Sequence, residues 1–251
     1  MKLGFMTFVC PEYELEAIPR FARRAGYDGV EIRVDAGHRH GLSSKSSYED
    51  RVYARRLFER EGIEICSVAT SVKLAQLDED KWQAQVKQAK ADIKLAAHLG
   101  ADVVRIFAGG DSGEMTPELA QVVADAYTEL GDYAEPDWVC PMLETGHDIV
   151  KGKEEALLVI ERVRTPNFGI LWNQAGLERD FYDALKDYIV HFHVHDDVLD
   201  ENNTSVREMA GMMKEIDYNG YVSLEIIRGE NMSEDELIQT ARRLNAQIAE
   251  A

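Results

Sequence analysis

Ionisable residues stand near the downstream ends of three apolar, strand-like runs in the second half of this 251-residue chain. Glu144 ends the run WVCPMLE, His193 lies in IVHFHVHD, and Glu225 lies in YVSLEII. Burying an unpaired charge among apolar side chains is costly, so each of these residues needs a partner or a function. Carboxylates and imidazoles bind divalent cations, and a carboxylate can also transfer a proton. The pattern favours one site assembled from distant parts of the chain.

The elements that would position these residues alternate regularly. Runs rich in β-branched and aromatic residues predict strands, and stretches with apolar spacings of three and four predict helices. The predicted strands are 2–8, 28–34, 63–70, 102–107, 138–144, 167–173, 189–195 and 221–227. The predicted helices are 13–26, 47–62, 80–99, 116–131, 152–163, 178–187, 203–216 and 233–249. Such alternation requires a parallel sheet.

Eight strand–helix units in a chain of this length fit a closed α/β barrel, the (β/α)8 or TIM barrel. No linker or change of composition divides the sequence, so we predict one domain over residues 1–251. An open doubly wound sheet is the alternative. It is less favoured because TFVCPE, rather than a GxGxxG turn, follows the first predicted strand.

Function in a TIM barrel resides at the carboxyl ends of the strands. Glu144 would end strand five, Asn173 would end strand six, and Glu225 would lie late in strand eight. His193 and His195 would lie near the end of strand seven. These four strands are neighbours in a closed barrel, so we expect the five side chains to converge.

Side chains alternate across a strand, which places His191, His193 and His195 on one face of strand seven. If that face points inward, the three histidines form a ladder from the core to the mouth. His193 is then the best ligand candidate. We expect His191, the deepest, to be a hydrogen-bonded core histidine, and His195 to line the pocket.

Glu144 and Glu225 are the strongest candidates for catalysis. A bound divalent metal would lower the pKa of a substrate hydroxyl and polarise a carbonyl. Two carboxylates on opposite sides of a sugar carbon could then remove a proton from one face and return it to the other. The alternative is a structural ion pair, for which Arg105 and Arg228 are available partners.

At these positions the chain resembles the xylose-isomerase-like barrel superfamily of sugar isomerases and epimerases, which is also related to endonuclease IV. That family has a Glu after strand five in a run like LExH, an Asp after strand six, HxKD at strand seven and a Glu at strand eight. The corresponding runs here are LETGH, LWNQ, HVHD and SLEI. GYDGVEIR at 26–33 and VVRIFAGG at 103–110 are also similar, so the resemblance spans nearly the whole chain.

The resemblance implies a ligand set and a cofactor. In the family, the Glu, Asp, His and Glu bind one divalent metal, and the two Glu act as acid and base. Carried over, Glu144, Asn173, His193 and Glu225 would bind Mn, Mg, Zn or Co, with Glu144 and Glu225 as the catalytic pair. Two departures bear on this: Asn173 replaces the family Asp, and His195 replaces the usual Lys. The first should weaken metal binding, and the second should alter a substrate contact.

Further residues are predicted to bind substrate or to cover the pocket. The predicted substrate-binding residues are Glu31, Arg105, His147, His195 and Arg228. For Glu31, an ion pair with Arg33 or with a neighbouring strand is an equal alternative. Phe8 and Phe107 could give apolar walls to a sugar site. His38 and His40 lie in a polar loop after strand two, where solvent exposure is the expectation.

Composition excludes several classes of partner. The formal charge is −18, from 46 acidic and 28 basic residues, which repels nucleic acid phosphates and anionic membranes. No apolar run approaches the ~20 residues of a membrane span, and the N-terminus reads as a strand rather than a signal peptide. The three cysteines form no CxxC pair, which favours a reducing cytoplasm. A homo-oligomer is compatible with the predicted apolar helix faces.

The leading hypothesis is therefore a metal-dependent isomerase or epimerase of a small sugar, polyol or sugar phosphate. A dehydratase acting on a keto-polyol would share the first proton abstraction. A third hypothesis is a non-catalytic sugar-binding barrel, in which Asn173 has abolished metal binding. A DNA-repair function like that of endonuclease IV is disfavoured, because this acidic chain lacks a basic groove and a dense ligand cluster.

Overall fold

The fold is a closed barrel of eight parallel strands in sequential order β1 to β8, as predicted. A computed structural model describes residues 1–109, 113–173, 178–227 and 230–251. The strands are β1 Lys2–Met6, β2 Gly29–Arg33, β3 Glu64–Lys73, β4 Val103–Phe107, β5 Cys140–Glu144, β6 Gly169–Trp172, β7 Ile189–Val194 and β8 Tyr221–Leu224. Pairing of β1 with β8 closes the barrel, which excludes the open doubly wound sheet.

Helices separate the strands and surround the barrel. They are α1 Ala17–Ala25, α2 Tyr48–Glu61, α3 Glu79–Leu99, α4 Pro117–Ala134, α5 Lys153–Ile160, α6 Arg179–Leu185, α7 Ser205–Lys214 and α8 Glu234–Glu250. Local sequence sets their ends. Ser47 and Asp50 form a capping box at the start of α2, and Gly62 ends that helix with a φ of 70°, which glycine adopts without steric penalty. No helix in the described ranges is long and apolar enough to cross a membrane.

Two layers of side chains fill the molecule, and they differ in chemistry. Outward-facing strand residues form an apolar layer beneath the helices; Trp172, for example, is 1% exposed and its ring centroid lies 4.4 Å from that of Phe181. The opposite face of the strands points into the barrel and carries buried polar residues. Those that matter for the site are Glu31, Arg105, Glu144, Asn173, His191, His193, Ser223 and Glu225. The polar interior is therefore where chemistry can occur.

A small polar network lies at the amino end of the barrel. Lys2 and Tyr221 both bond to the carboxylate of Glu64, at 2.7 and 2.8 Å. A side chain on Gly4 would lie 2.7 Å from the Ser223 hydroxyl, so only glycine fits at this level. The ionisable residues of the cluster lie at the other end, near the carboxyl ends of β5, β7 and β8.

Candidate active site

Glu144, His193 and Glu225 converge inside the barrel. Glu144 is the last residue of β5, His193 lies on β7, and Glu225 directly follows β8. The backbone N–H of Glu225 donates to the carbonyl of Val194 at 2.8 Å, so Glu225 remains in register with β7. Ligand-type atoms of Glu144, His193 and Glu225 all lie within 4.8 Å of one another, and all three residues are buried. Barrel closure brings these distant segments together.

His193 is the centre of the cluster. Its Nδ1 atom lies 3.1 Å from Glu225 Oε2 and 4.0 Å from Glu144 Oε1. On the other side of the ring, Nε2 lies 2.9 Å from Glu31 Oε2. The imidazole side chain is fully buried, so each ring nitrogen faces a carboxylate and neither faces solvent.

Glu144 is held by two side chains. Arg105 Nη1 donates to Glu144 Oε2 at 3.0 Å, and the Asn173 amide donates to Glu144 Oε1. Arg105 is 1% exposed, its guanidinium carbon lies 4.0 Å from the centroid of the Phe107 ring, and its Nε has no hydrogen-bond partner among the described residues. Arg105, expected to contact substrate, thus forms the ion pair that the sequence left as the alternative.

The two carboxylates of the cluster differ in their proton affinity. Burial raises the pKa of Glu144, and the charge of Glu225 adds to this effect against the opposing charge of Arg105. Burial acts in the same direction on Glu225, but His193 outweighs it and lowers the pKa of Glu225 to about 2. Burial would depress the pKa of His193, yet Glu31 and Glu225 together raise it to about 10. Two neighbouring carboxylates with separated pKa values are the usual arrangement of a catalytic acid and base.

His195 connects the rim of the site to Asn173. Its Nδ1 lies 3.1 Å from the backbone carbonyl of Glu225 and its Nε2 contacts the Asn173 amide. The side chain is 34% exposed, more than any of the buried groups beneath it. His195 therefore lies at the mouth, where the sequence placed it.

Glu31 lies deeper than expected of a substrate-binding residue. It is fully buried beneath His193, and its carboxylate faces His193 and His191 rather than Arg33. His191 is 1% exposed and bonds to the Ser223 hydroxyl at 2.9 Å, which matches the expectation of a core histidine. Glu31 is therefore buried against the two histidines and is not exposed at the mouth.

Of the remaining predicted residues, those that the structure describes lie at the mouth. His147 is exposed and its ring centroid lies 5.3 Å from that of Phe107. Phe8 and Phe107 are partly buried. Arg228 lies outside the described residues, so its predicted contact with substrate stays a prediction.

Two features of the mouth differ from the sequence reading. His40 was expected in solvent but is 7% exposed, because its loop folds back: Arg39 N–H donates to the Pro11 carbonyl at 2.8 Å. Arg33 was considered only as a partner for Glu31. Its guanidinium instead donates to the carbonyls of Val34 and Ala69, at 2.6 and 3.2 Å. In GVEIR, Arg33 is two residues after Glu31 and so lies on the same, inner face of the strand. The sequence therefore contained a signal that Arg33 points into the barrel.

The donor set at His193 fits a single divalent cation. Ligand atoms at about 2.0–2.3 Å from one ion are at most about 4.6 Å apart, and the Nδ1 distances of 3.1 and 4.0 Å fall within this limit. Two carboxylates and one imidazole suit Mn, Mg, Zn or Co. In the described orientation Asn173 turns its NH2 group toward Glu144, and a half-turn of the amide would present its oxygen instead.

Comparison with known proteins agrees with this architecture. The profile of the xylose isomerase-like TIM barrel family matches residues 19–247. The chain therefore belongs to the xylose isomerase-like TIM barrel family. No curated protein sequence matches it significantly.

Solved structures with low sequence identity share the fold over nearly the full length. A D-psicose 3-epimerase crystallised with D-fructose has a TM-score of 0.80 and 13% identity, covering 98% of this chain and 97% of that one. A D-tagatose 3-epimerase-like protein has a TM-score of 0.78 and 20% identity, covering 100% and 99%. A probable 3-DHS dehydratase from Bacillus anthracis has a TM-score of 0.75 and 15% identity, covering 98% and 99%.

Proposed function

We propose that this chain is a metal-dependent epimerase or isomerase of a small sugar, polyol or sugar phosphate. The observation that carries the proposal is the convergence of Glu144, His193 and Glu225 at the carboxyl ends of β5, β7 and β8. Active sites of TIM barrels lie at this end. The 3-epimerases of similar fold support the same class of substrate.

Glu144, His193 and Glu225 would hold the metal, with Asn173 as a neutral fourth ligand. When bound, a divalent ion would polarise a substrate carbonyl and stabilise the negative charge that develops there. Asn173 contributes no charge, so the site carries one negative ligand fewer than the family pattern. We therefore expect weaker metal binding than a site with aspartate at this position would give.

The two carboxylates divide the proton transfer between them. Glu225, whose pKa is lowered to about 2, is ionised at neutral pH and would accept the proton from the carbon beside the carbonyl. The C–H bond breaks, and its electron pair moves toward the carbonyl oxygen. Glu144, whose pKa is raised, would deliver a proton to the opposite face of that carbon. In the reverse direction the two residues exchange roles.

Polar and aromatic groups at the mouth would orient the substrate. His195 is partly exposed and fixed by the Glu225 carbonyl, so it presents a rigid polar edge above the reacting centre. Phe107 and His147 pack against each other on the β4 and β5 side of the mouth. An apolar wall opposite polar groups is the usual composition of a small-ligand pocket.

The test is incubation of the purified protein in D2O with a panel of ketoses and keto-polyols, with Mn, Mg, Co or Zn added after chelator treatment. We expect deuterium to appear at the carbon beside the carbonyl in one or more substrates, only with metal, and a product of unchanged carbon skeleton. Loss of water from the product would support the dehydratase, whose first step is the same. No exchange with any substrate, together with no thermal shift on adding metal, would support the non-catalytic barrel.

A further inference from the structure

A buried carboxylate lies directly behind the central histidine of the site. Glu31 is fully buried on β2, and its Oε2 atom lies 2.9 Å from His193 Nε2. The same oxygen lies 3.2 Å from His191 Nε2. An ionised carboxylate only accepts hydrogen bonds, so the proton of this contact belongs to His193 Nε2.

This contact decides which nitrogen of His193 faces the carboxylate pair. With Nε2–H directed at Glu31, Nδ1 points toward Glu225 at 3.1 Å and toward Glu144 at 4.0 Å. Turning the ring over would put a carbon in place of each nitrogen and would break both contacts. We propose that Glu31 is a positioning residue, which fixes the orientation and tautomer of His193 so that Nδ1 is the metal ligand. This inference rests on the proposed function.

The position of Glu31 is costly, which favours a role beyond packing. Its Oε1 atom has no hydrogen-bond partner among the described residues, and leaving a buried polar atom without a partner is destabilising. An apolar side chain would fill this place without that cost. In metal sites, a carboxylate that accepts from the second nitrogen of a ligand histidine commonly sets the ring and strengthens the ligand.

Glu31, His191 and His193 also lie close enough to hold an ion of their own, which would be a competing role. His191, however, is already bonded to the Ser223 hydroxyl at 2.9 Å, and Glu31 Oε2 is shared by the two histidines. Glu31 Oε2 and the Nε2 atoms of both histidines therefore already have protein partners in this lower cluster. The number of ions bound per chain separates the two roles.

The experiment compares Glu31→Leu and Glu31→Gln with wild type and with Asp92→Asn, which neutralises a buried acid on α3 outside the barrel. Mn²⁺ affinity and stoichiometry are measured by calorimetry, and the visible spectrum of the Co²⁺ form reports the ligand geometry. We expect one ion per wild-type chain and about 10–100-fold weaker binding in Glu31→Leu. Glu31→Gln, whose amide oxygen still accepts the Nε2–H bond, should be intermediate. Asp92→Asn should match wild type in affinity and spectrum.

A second readout needs no metal. The His193 Nε2–H proton, distinguished from Nδ1–H by its coupling to Nε2 in 15N-labelled protein, should give a slowly exchanging downfield resonance in wild type, Glu31→Gln and Asp92→Asn. Glu31→Leu should lose this Nε2–H resonance. Three results would overturn the inference. They are unchanged affinity in both Glu31 variants, persistence of the Nε2–H resonance in Glu31→Leu, and loss of one of two bound ions in Glu31→Leu. If the wild-type chain binds no ion, the proposed function is refuted. The Nε2–H resonance would still test the contact between Glu31 and His193.

Discussion

Arg105 should contribute strongly to the stability of the folded state, because it is the cation that balances a buried carboxylate. Arg105 Nη1 lies 3.0 Å from Glu144 Oε2, and the two side chains are 1% and 2% exposed. In Arg105→Met the side chain keeps its approximate length but loses its charge, which leaves Glu144 buried and unpaired.

The size of the effect follows from burial. Removing one partner of a buried ion pair costs about 3–5 kcal/mol, whereas an exposed pair contributes about 0–1 kcal/mol. For a chain of this size, about 2–4 °C in Tm per kcal/mol converts this cost into a loss of roughly 6–20 °C. Arg55→Met is the matched control: Arg55 and Glu59 form an exposed pair at 2.7 Å, with side chains 50% and 57% exposed.

The loss should also depend on pH. The pKa of Glu144 is already raised by burial, and removing Arg105 would raise it further. The pKa of Glu144 is higher in the folded state than in the unfolded chain, where it is about 4.3. The raised pKa therefore destabilises the folded state only at pH values above about 4.3, where the carboxyl of the unfolded chain loses its proton. The penalty is therefore absent at low pH and grows as the pH rises. Thermal unfolding in EDTA should show a larger Tm loss at pH 8 than at pH 5, and a Tm loss no larger than that of Arg55→Met would refute the reasoning.

Three further predictions concern the ligand set and the stability of the barrel. Asn173→Asp restores a charged ligand and should tighten Mn²⁺ binding by about tenfold or more in a calorimetric titration; unchanged or weaker binding would show that residue 173 is no ligand. Burial raises the pKa of Asp92 to about 7, against about 3.9 in the unfolded chain, so its ionisation removes stability as the pH rises from 4 through 7. Asp92→Asn should therefore stabilise the chain by up to about 4 kcal/mol at pH 8 and by nothing at pH 4 in urea titrations; an equal effect at both pH values would contradict this. Trp172→Ala should cost about 3–5 kcal/mol by the same assay, and Trp172→Phe should cost less, because the indole Nε1 has no hydrogen-bond partner in the described ranges.

Most of the fold could be predicted because the strand–helix alternation is visible in the local pattern. The differences lie at strand ends. β3 was predicted to end at residue 70 but continues to Lys73, since an irregular register lets Lys73 pair with Phe107 beyond the apolar run. β1 ends at Met6, and Thr7–Val9 forms a 3-10 turn instead of more strand. Such ends depend on the neighbouring strand, which a local pattern does not contain.

Part of the site could be predicted from two rules alone, the alternation of side chains along a strand and the order of strands around the barrel. These two rules bring Glu144, His193 and Glu225 together without any knowledge of side-chain contacts. The position of Glu31 was not predictable in the same way, because its contact with His193 joins residues 162 apart in the chain. It depends on the stagger of the strands around the closed barrel. The burial of His40 depends likewise on a long-range contact between two loops.

The most direct test of the central claim is the incorporation of solvent deuterium by the Glu144→Gln and Glu225→Gln variants, each loaded with metal and supplied with a substrate that the wild type turns over. If the two carboxylates transfer the proton, neither variant should complete epimerisation, and Glu225→Gln should also fail to exchange the proton that Glu225 abstracts. Chromatography and mass spectrometry of the recovered sugar measure both quantities. Wild-type levels of deuterium and product in both variants would contradict the account.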